Sequence, residues 1–273
     1  MGILNVTPDS FADGGVRLDP GVAIRDALRM VAEGADVLDI GGESTRPGAV
    51  AVSAADELAR VVPVLEGLRG RVTVPLSIDT YKAEVAERAL DLGAQIVNDV
   101  SGLTYDPALA GVIARRQAAV VLMHNRGRSA EMYQLAAYGD VAGDVAAELE
   151  RAVGRADAAG IAGDRVILDP GLGFAKGAEQ TFELLANLQP LARLGKPLLL
   201  GPSRKSFLRL ALGDVPADRR LWGTAAAVTA CVLSGAHIVR VHDVAAMSQV
   251  VKVADALLGS GVPGFRGVGG RQE

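Results

Sequence analysis

Eight short apolar runs in this chain each end in acidic, basic or amide residues, and these ends hold most of the side chains that could do chemistry. Gly2-Ile3-Leu4 runs into Asn5, Val37-Leu38-Asp39-Ile40-Gly41 into Glu43-Ser44-Thr45-Arg46, and Leu76-Ser77-Ile78 into Asp79. Gln95-Ile96-Val97 ends in Asn98-Asp99, the run 119–123 in His124-Asn125, and Val166-Ile167-Leu168 in Asp169. The last two are the run 197–201 before Ser203-Arg204-Lys205-Ser206, and Ile238-Val239 before Arg240-Val241-His242-Asp243. Carboxylates accept parallel hydrogen bonds and amides both donate and accept, so Asp169 and Asn98 suit a polar, planar ligand edge. Arg240 and His242 are two residues apart and emerge on one face of an extended strand, where they offer positive charge to an anion. Taken alone, Asp169 reads as a turn residue before Pro170-Gly171, and Asn98 as a loop cap. Their weight comes from position, because parallel α/β folds gather their sites at the C-terminal ends of the strands.

The segments between the runs are what must position those ends. Asp19-Pro20 has the form of an N-cap followed by a first-turn proline, and Ile24, Ala27, Leu28 and Val31 then repeat with helical spacing. Ser53 with Asp56 reads as a capping signal before a stripe of Leu58, Val61, Val62, Leu65 and Leu68. Met247, Val250, Val251, Ala254, Leu257 and Leu258 give a last stripe. Eight strand–helix alternations fill the usual length of a TIM (β/α)8 barrel, about 250 residues. The expectation is one α/β domain over residues 1–258, with a glycine-rich, aperiodic, flexible tail over 259–273. A doubly wound open sheet is the competitor, disfavoured by the number and even distribution of the units.

Composition bounds the remaining function classes. Of 273 residues 49% are hydrophobic, mean hydropathy is +0.26, and the net charge of -4 supplies no basic field for nucleic acid. No run approaches the roughly 18 apolar residues of a membrane span, and the N-terminus does not read as a secretory leader, so no membrane partner and a cytoplasmic location are expected. Cys231 lies in an apolar helical segment and reads as a buried small hydrophobe. Neither it nor any serine makes a convincing nucleophile pair with a histidine. His124 and His237 read as hydrogen-bonded scaffold, Trp222 as a packing residue, and Arg219-Arg220 as a solvated helix start.

The strand-end segments carry a family resemblance. Asn5-Val6-Thr7-Pro8-Asp9-Ser10-Phe11-Ala12-Asp13-Gly14-Gly15, Gly41-Gly42-Glu43-Ser44-Thr45-Arg46-Pro47-Gly48, Leu168-Asp169-Pro170-Gly171-Leu172-Gly173-Phe174, Ser203-Arg204-Lys205-Ser206 and Arg240-Val241-His242-Asp243 closely resemble the dihydropteroate synthase family of folate biosynthesis. The motifs occur in the family's order from Gly2 to about Leu258. The resemblance implies condensation of 6-hydroxymethyl-7,8-dihydropterin pyrophosphate with 4-aminobenzoate, with Mg²⁺ as cofactor, in a homodimer that sulfonamides inhibit.

Residue by residue, it implies a pterin pocket of Asp79, Asn98, Met123, Asp169, Phe174 and Lys205, with Gly201 allowing close approach. Arg240 and His242 would hold the pyrophosphate, Asn5 would ligate the Mg²⁺, and Asp13 would assist. Phe11 and Pro47 would pack on the aminobenzoate ring beside Thr45 and Arg46, and Ser206 would receive its carboxylate. Asp79, Asp169, Lys205, Arg240 and His242 would carry the catalysis. The fifth loop, His124-Asn125-Arg126-Gly127-Arg128, has two arginines where the family varies, and Ala12 stands where serine is frequent. Two alternatives share the barrel: a pterin-binding methyltransferase partner of a corrinoid protein, and a non-catalytic pterin-binding paralogue. The first has no use for the segment 203–206 or for Arg240 with His242.

Overall fold

The computed structural model describes residues 1–7, 19–44, 50–128 and 131–259. Phe11, Asp13, Thr45, Arg46, Pro47 and the tail beyond Gly259 lie outside the described residues.

The apolar runs form strands β1 (Gly2–Asn5), β2 (Leu38–Gly41), β3 (Leu76–Asp79), β4 (Ile96–Asp99), β5 (Ala119–Met123), β6 (Val166–Asp169), β7 (Leu199–Leu200) and β8 (Ile238–Val239). The first six pair in parallel in sequence order, and β7 pairs in parallel with β8. Single parallel bridges between Gly2 and Val241 and between Leu168 and Leu198 join the two ladders on both sides. There Ile3 N–H donates to Val241 O at 2.9 Å and Leu168 N–H to Pro197 O at 2.9 Å. An open sheet would leave β1 at an edge, whereas here β1 lies beside β8. The fold is a (β/α)8 barrel.

The helices are α1 (Pro20–Ala32), α2 (Ala54–Leu68), α3 (Ala83–Asp91), α4 (Leu109–Arg116), α5 (Val141–Ala158), α6 (Ala178–Ala186), the short α7 (Gln189–Ala192) and α8 (Arg209–Leu212), then α9 (Leu221–Leu233) and α10 (Val244–Gly259). Their starts follow the sequence signals. Asp19 Oδ1 accepts from Gly21 N at 2.8 Å ahead of Pro20, and Ser53 Oγ accepts from Asp56 N at 3.1 Å. Val61, Leu65 and Leu68 of α2 are fully buried, each stabilising the fold by about 1.5–3 kcal/mol. Among the described residues no helix is long and apolar enough to cross a membrane.

Two side chains depart from expectation. Trp222 does not pack but is 81% exposed. It lies two positions from buried Thr224, which in a 3.6-residue period puts it on the opposite side of α9. Arg220 is not solvated but 8% exposed, with Nε donating to Val215 O at 2.8 Å and Nη1 to Arg204 O at 2.9 Å. Cys231 is fully buried, and burial raises its pKa far above the usual thiol range.

Candidate active site

A buried charge network runs from Asp39 inside β2 across the ends of β3, β4 and β8. Asp39 Oδ2 accepts from Asn98 Nδ2 at 2.9 Å and from Arg240 Nε at 2.6 Å, while Arg240 Nη2 donates to Asp79 Oδ2 at 2.7 Å. Asp79 and Asn98 are register partners on adjacent strands, so their side chains stand on the same face. Burial raises the pKa of Asp79 well above the usual carboxylate range, although Arg240 opposes the shift. Burial also works against the Arg240 guanidinium, but Asp39 and Asp79 outweigh it and hold the group firmly charged.

The end of β6 adds a second half to the site. Gly171 N–H donates to Asp169 Oδ1 at 2.7 Å, and the turn that follows brings Phe174 under Lys205, whose Nζ lies 3.8 Å from the ring centroid. Burial lowers Lys205 to about 8 against the pull of Asp169, and raises Asp169 against its bond to Gly171. Lys205 also feels the charges of Arg240 and Asp79, which ties the two halves into one electrostatic unit.

Beneath the turn, Lys176 is 1% exposed and its Nζ donates to Gly171 O at 3.1 Å and Phe174 O at 2.9 Å. Its third contact is His124 Nδ1 at 2.8 Å, and His124 Nε2 lies 3.0 Å from Glu148. The Glu148 carboxylate takes a proton donor from Nε2, which leaves Nδ1 as the acceptor for Lys176. His124 is therefore hydrogen-bonded scaffold, as is His237, whose Nδ1 accepts from Leu198 N at 3.2 Å.

The loops after β7 and β8 are cross-braced. His242 N–H donates to Ser203 Oγ at 3.1 Å, and the same oxygen lies 3.0 Å from His242 Nδ1. The Ser203 hydroxyl has two acceptor lone pairs and one donor, so it pairs with Nδ1 in either tautomer of His242. Arg204 does not face the cleft as a free cation. Its guanidinium grips Asp243 with two hydrogen bonds, one at 2.9 Å. Its backbone, at φ 58, is held by Thr224 Oγ1, which accepts from Arg204 N at 3.0 Å. Of the segment 203–206, Lys205 and Ser206 remain for a ligand, and Ser206 is exposed at the start of one 3₁₀ turn, Ser206–Leu208.

The remaining residues named from the sequence also lie at strand ends. Asn5 closes β1, and among the described residues its side chain makes no hydrogen bond. Met123, buried, is the register partner of Asp169. A Cβ added at Gly201 would meet Arg240 alone, its Cβ at 3.8 Å and its O at 4.0 Å, both ordinary contacts, so the protein's own packing leaves room there. Among the described residues no three His, Cys, Asp or Glu side chains are grouped to hold a metal.

Sequence reasoning gave no role to Asp39, Lys176 or Ser203. Asp39 left a signal, an acid alone inside the apolar run 37–41. Lys176 left none. Also unforeseen is the brace of Lys82 by Glu43 and Glu57, which secures the base of the second loop on α2. That approach is close: a Cβ at Gly42 would lie 2.9 Å from both Glu57 Cγ and Val61 Cγ1.

Comparison with known proteins identifies the family. The family model for pterin binding enzymes matches residues 1–242. The dihydropteroate synthase of Synechocystis is 50% identical over 257 residues, 94% of this chain and 89% of that protein. The Bacillus subtilis dihydropteroate synthase is 44% identical, over 96% of this chain and 89% of its own. Among solved structures, the Xanthomonas albilineans dihydropteroate synthase with 4-aminobenzoic acid superposes with a TM-score of 0.89 at 42% identity, over 96% of this chain and 93% of that one. The Yersinia pestis enzyme in complex with a sulfonamide drug gives 0.90 at 41%, over 95% and 94%. The chain belongs to the pterin-binding enzyme family and, within it, to the dihydropteroate synthases.

Proposed function

We propose that the cleft over β3, β4, β6, β7 and β8 binds the pterin and performs the condensation. The observation that carries this reading is the gathering, at one mouth of the barrel, of the hydrogen-bonded set Asp39, Asp79, Asn98 and Arg240 with Asp169 and the turn that sets Phe174 under Lys205. As a dihydropteroate synthase, the chain joins 6-hydroxymethyl-7,8-dihydropterin pyrophosphate to 4-aminobenzoate, giving 7,8-dihydropteroate and pyrophosphate. Asp169 and Asn98 read the amino-pyrimidinone edge of the pterin, Met123 and Phe174 enclose its faces, and Gly201 lets it approach the backbone. The ligands named for solved relatives, 4-aminobenzoic acid and 7,8-dihydropteroate, support the substrate assignment.

In the reaction the C–O bond to pyrophosphate breaks and its electron pair leaves with the diphosphate. The electron-rich ring stabilises the cation at the exocyclic carbon, and the amine of 4-aminobenzoate then forms the C–N bond and releases a proton. Asp79 and Asp169 place negative charge beside that cation. Arg240, through the donors its carboxylate partners leave free, and His242, through its imidazole, would meet the diphosphate. Ser206, with Phe11, Thr45, Arg46 and Pro47, would receive the aminobenzoate.

Asn5 fits a role toward Mg²⁺. It offers one amide oxygen without an internal partner, and Mg²⁺ is commonly held by few protein oxygens plus phosphates and waters. Bound there, the ion would neutralise charge on the leaving diphosphate. Asp13 would assist from the first loop. A cytoplasmic location and a homodimer complete the reading, the second checked by sedimentation.

The test is dihydropteroate formation from both substrates with and without Mg²⁺, beside Lys205→Ala. Metal-dependent product that the substitution suppresses is expected. Pterin binding without turnover in a folded protein would move the assignment to a non-catalytic pterin binder.

A further inference from the structure

Asp39 is an expensive residue for this fold. It sits in mid-strand between Leu38 and Ile40 with 0% exposure, and its Oδ1 has no hydrogen-bond partner. A buried carboxylate oxygen left unpaired is destabilising, and such breaches of a fold's own rules concentrate where function needs them. Its other oxygen, Oδ2, takes both Asn98 Nδ2 and Arg240 Nε.

Those two contacts dictate how Asn98 is oriented. An ionised carboxylate only accepts hydrogen bonds, so the end of the Asn98 amide that faces Asp39 must be the NH₂ group. The opposite rotamer would set the amide oxygen against a carboxylate oxygen. The amide oxygen therefore points away from Asp39, and it is not among the buried oxygens that lack a partner. Asp79 stands on the same sheet face as the register partner of Asn98, with its Oδ2 steadied by Arg240, which Asp39 also holds. The result is two acceptors side by side, both oriented from Asp39.

We propose that Asp39 is a positioning residue that fixes the hydrogen-bonding polarity of Asn98, and thereby makes the pocket select a pterin with an amino group over one with an oxo group at the same ring edge. This rests on the reading that Asn98 faces the amino-pyrimidinone edge. An N–H donor on the ligand meets the Asn98 oxygen, whereas an oxo group meets it lone pair to lone pair. In Asp39→Asn the neighbour can both donate and accept, so the Asn98 amide is free to turn and the discrimination falls.

The experiment measures calorimetric affinity of 6-hydroxymethylpterin and its 2-oxo counterpart for the wild type, Asp39→Asn, Asn98→Ala, and the exchange variant Asp39→Asn with Asn98→Asp, each with a thermal melt. The wild type is expected to prefer the amino compound by a factor on the order of 100 or more, because a site built around a ligand donor leaves its own groups unpaired with the analogue. Asp39→Asn is expected to reduce that ratio at least about tenfold, and the exchange, in which the amide at position 39 donates to one carboxylate oxygen at position 98 and the other oxygen again faces the ligand as an acceptor, to restore it. Equal weakening of both ligands by Asp39→Asn, or an exchange variant that folds and binds without regaining the preference, would overturn the proposal. If Asp39→Asn does not fold, the exchange variant carries the test. Failure of the underlying reading looks different: Asn98→Ala would then leave both affinities at the wild-type value.

Discussion

Lys176 Nζ lies 2.8 Å from His124 Nδ1, and this buried contact ties the loop after β6 to the end of β5. The same ammonium holds the carbonyls of Gly171 and Phe174, so one side chain pins the turn between Asp169 and Phe174. Lys176→Met keeps the length and removes every donor. Losing those donors leaves buried acceptors unpaired, at a cost of about 2–4 kcal/mol in urea unfolding. KM for the pterin pyrophosphate is expected to rise more than kcat falls, because the turn positions a binding surface. Unchanged stability would show that the turn holds without Lys176.

Burial lowers His124 to about 4, although Glu148 opposes the shift. Since the folded-state value lies below the unfolded one, near 6.5, the unfolded chain takes up a proton first as pH falls. Stability is then full above about 6.5 and declines toward pH 4, by ~3 kcal/mol for this group. Urea unfolding at pH 7 and pH 4.5 should show the decline in the wild type and much less of it in His124→Gln. Parallel curves for the two proteins would assign the acid sensitivity elsewhere.

These buried partners mark the limit of what the chain discloses before it is folded. Asp79, Asn98, Asp169, Lys205 and Arg240 were legible because each lies in the last residues of a strand or in the segment that follows it, and strand ends follow from local hydrophobic pattern. The capping of α1 by Asp19 and of α2 by Ser53 was legible for the same local reason. Lys176 pairs with a residue 52 positions away and Arg240 with one 201 away, and no periodicity encodes such partners. Arg204, beside Lys205 in the chain, differs from it in the fold, because Asp243 pairs with its guanidinium, and nothing local in the sequence announces a partner 39 positions away. Trp222 misled because burial of a tryptophan is a tendency of composition, while the phase of α9 decided its side.

Gly171 has φ +66, and a Cβ built on it would lie 2.1 Å from His124 O. Relief requires backbone movement, because the obstructing atom is a carbonyl that also belongs to the His124 scaffold. Gly171→Ala combines a disfavoured backbone conformation with that clash, and is expected to cost about 3 kcal/mol or more. Chemical unfolding and pterin calorimetry check it together. Gly160, also at positive φ but with open space around its added Cβ, serves as the control, and its alanine variant should lose far less. Equal losses at the two positions would mean that φ alone sets the cost.

Asp79 and Lys205 set opposing conditions on turnover. Burial pushes the Asp79 pKa above the ordinary carboxylate range, so its negative charge, needed beside the developing cation, is complete only as pH rises past that raised value. Burial pulls Lys205 down to about 8, so its positive charge is lost as pH rises through that point. The profile of kcat/KM for the pterin pyrophosphate reports groups of the free enzyme and should be a narrow bell falling on its alkaline side near pH 8. Because the two groups interact, the limbs belong to the pair. Lys205→Arg separates them. A guanidinium keeps its charge throughout this range, so the alkaline limb should move out by a unit or more, whatever the height of the curve. An alkaline limb that stays near pH 8 in the variant would assign it to another group, and the charge on Lys205 would then have no part in the rate.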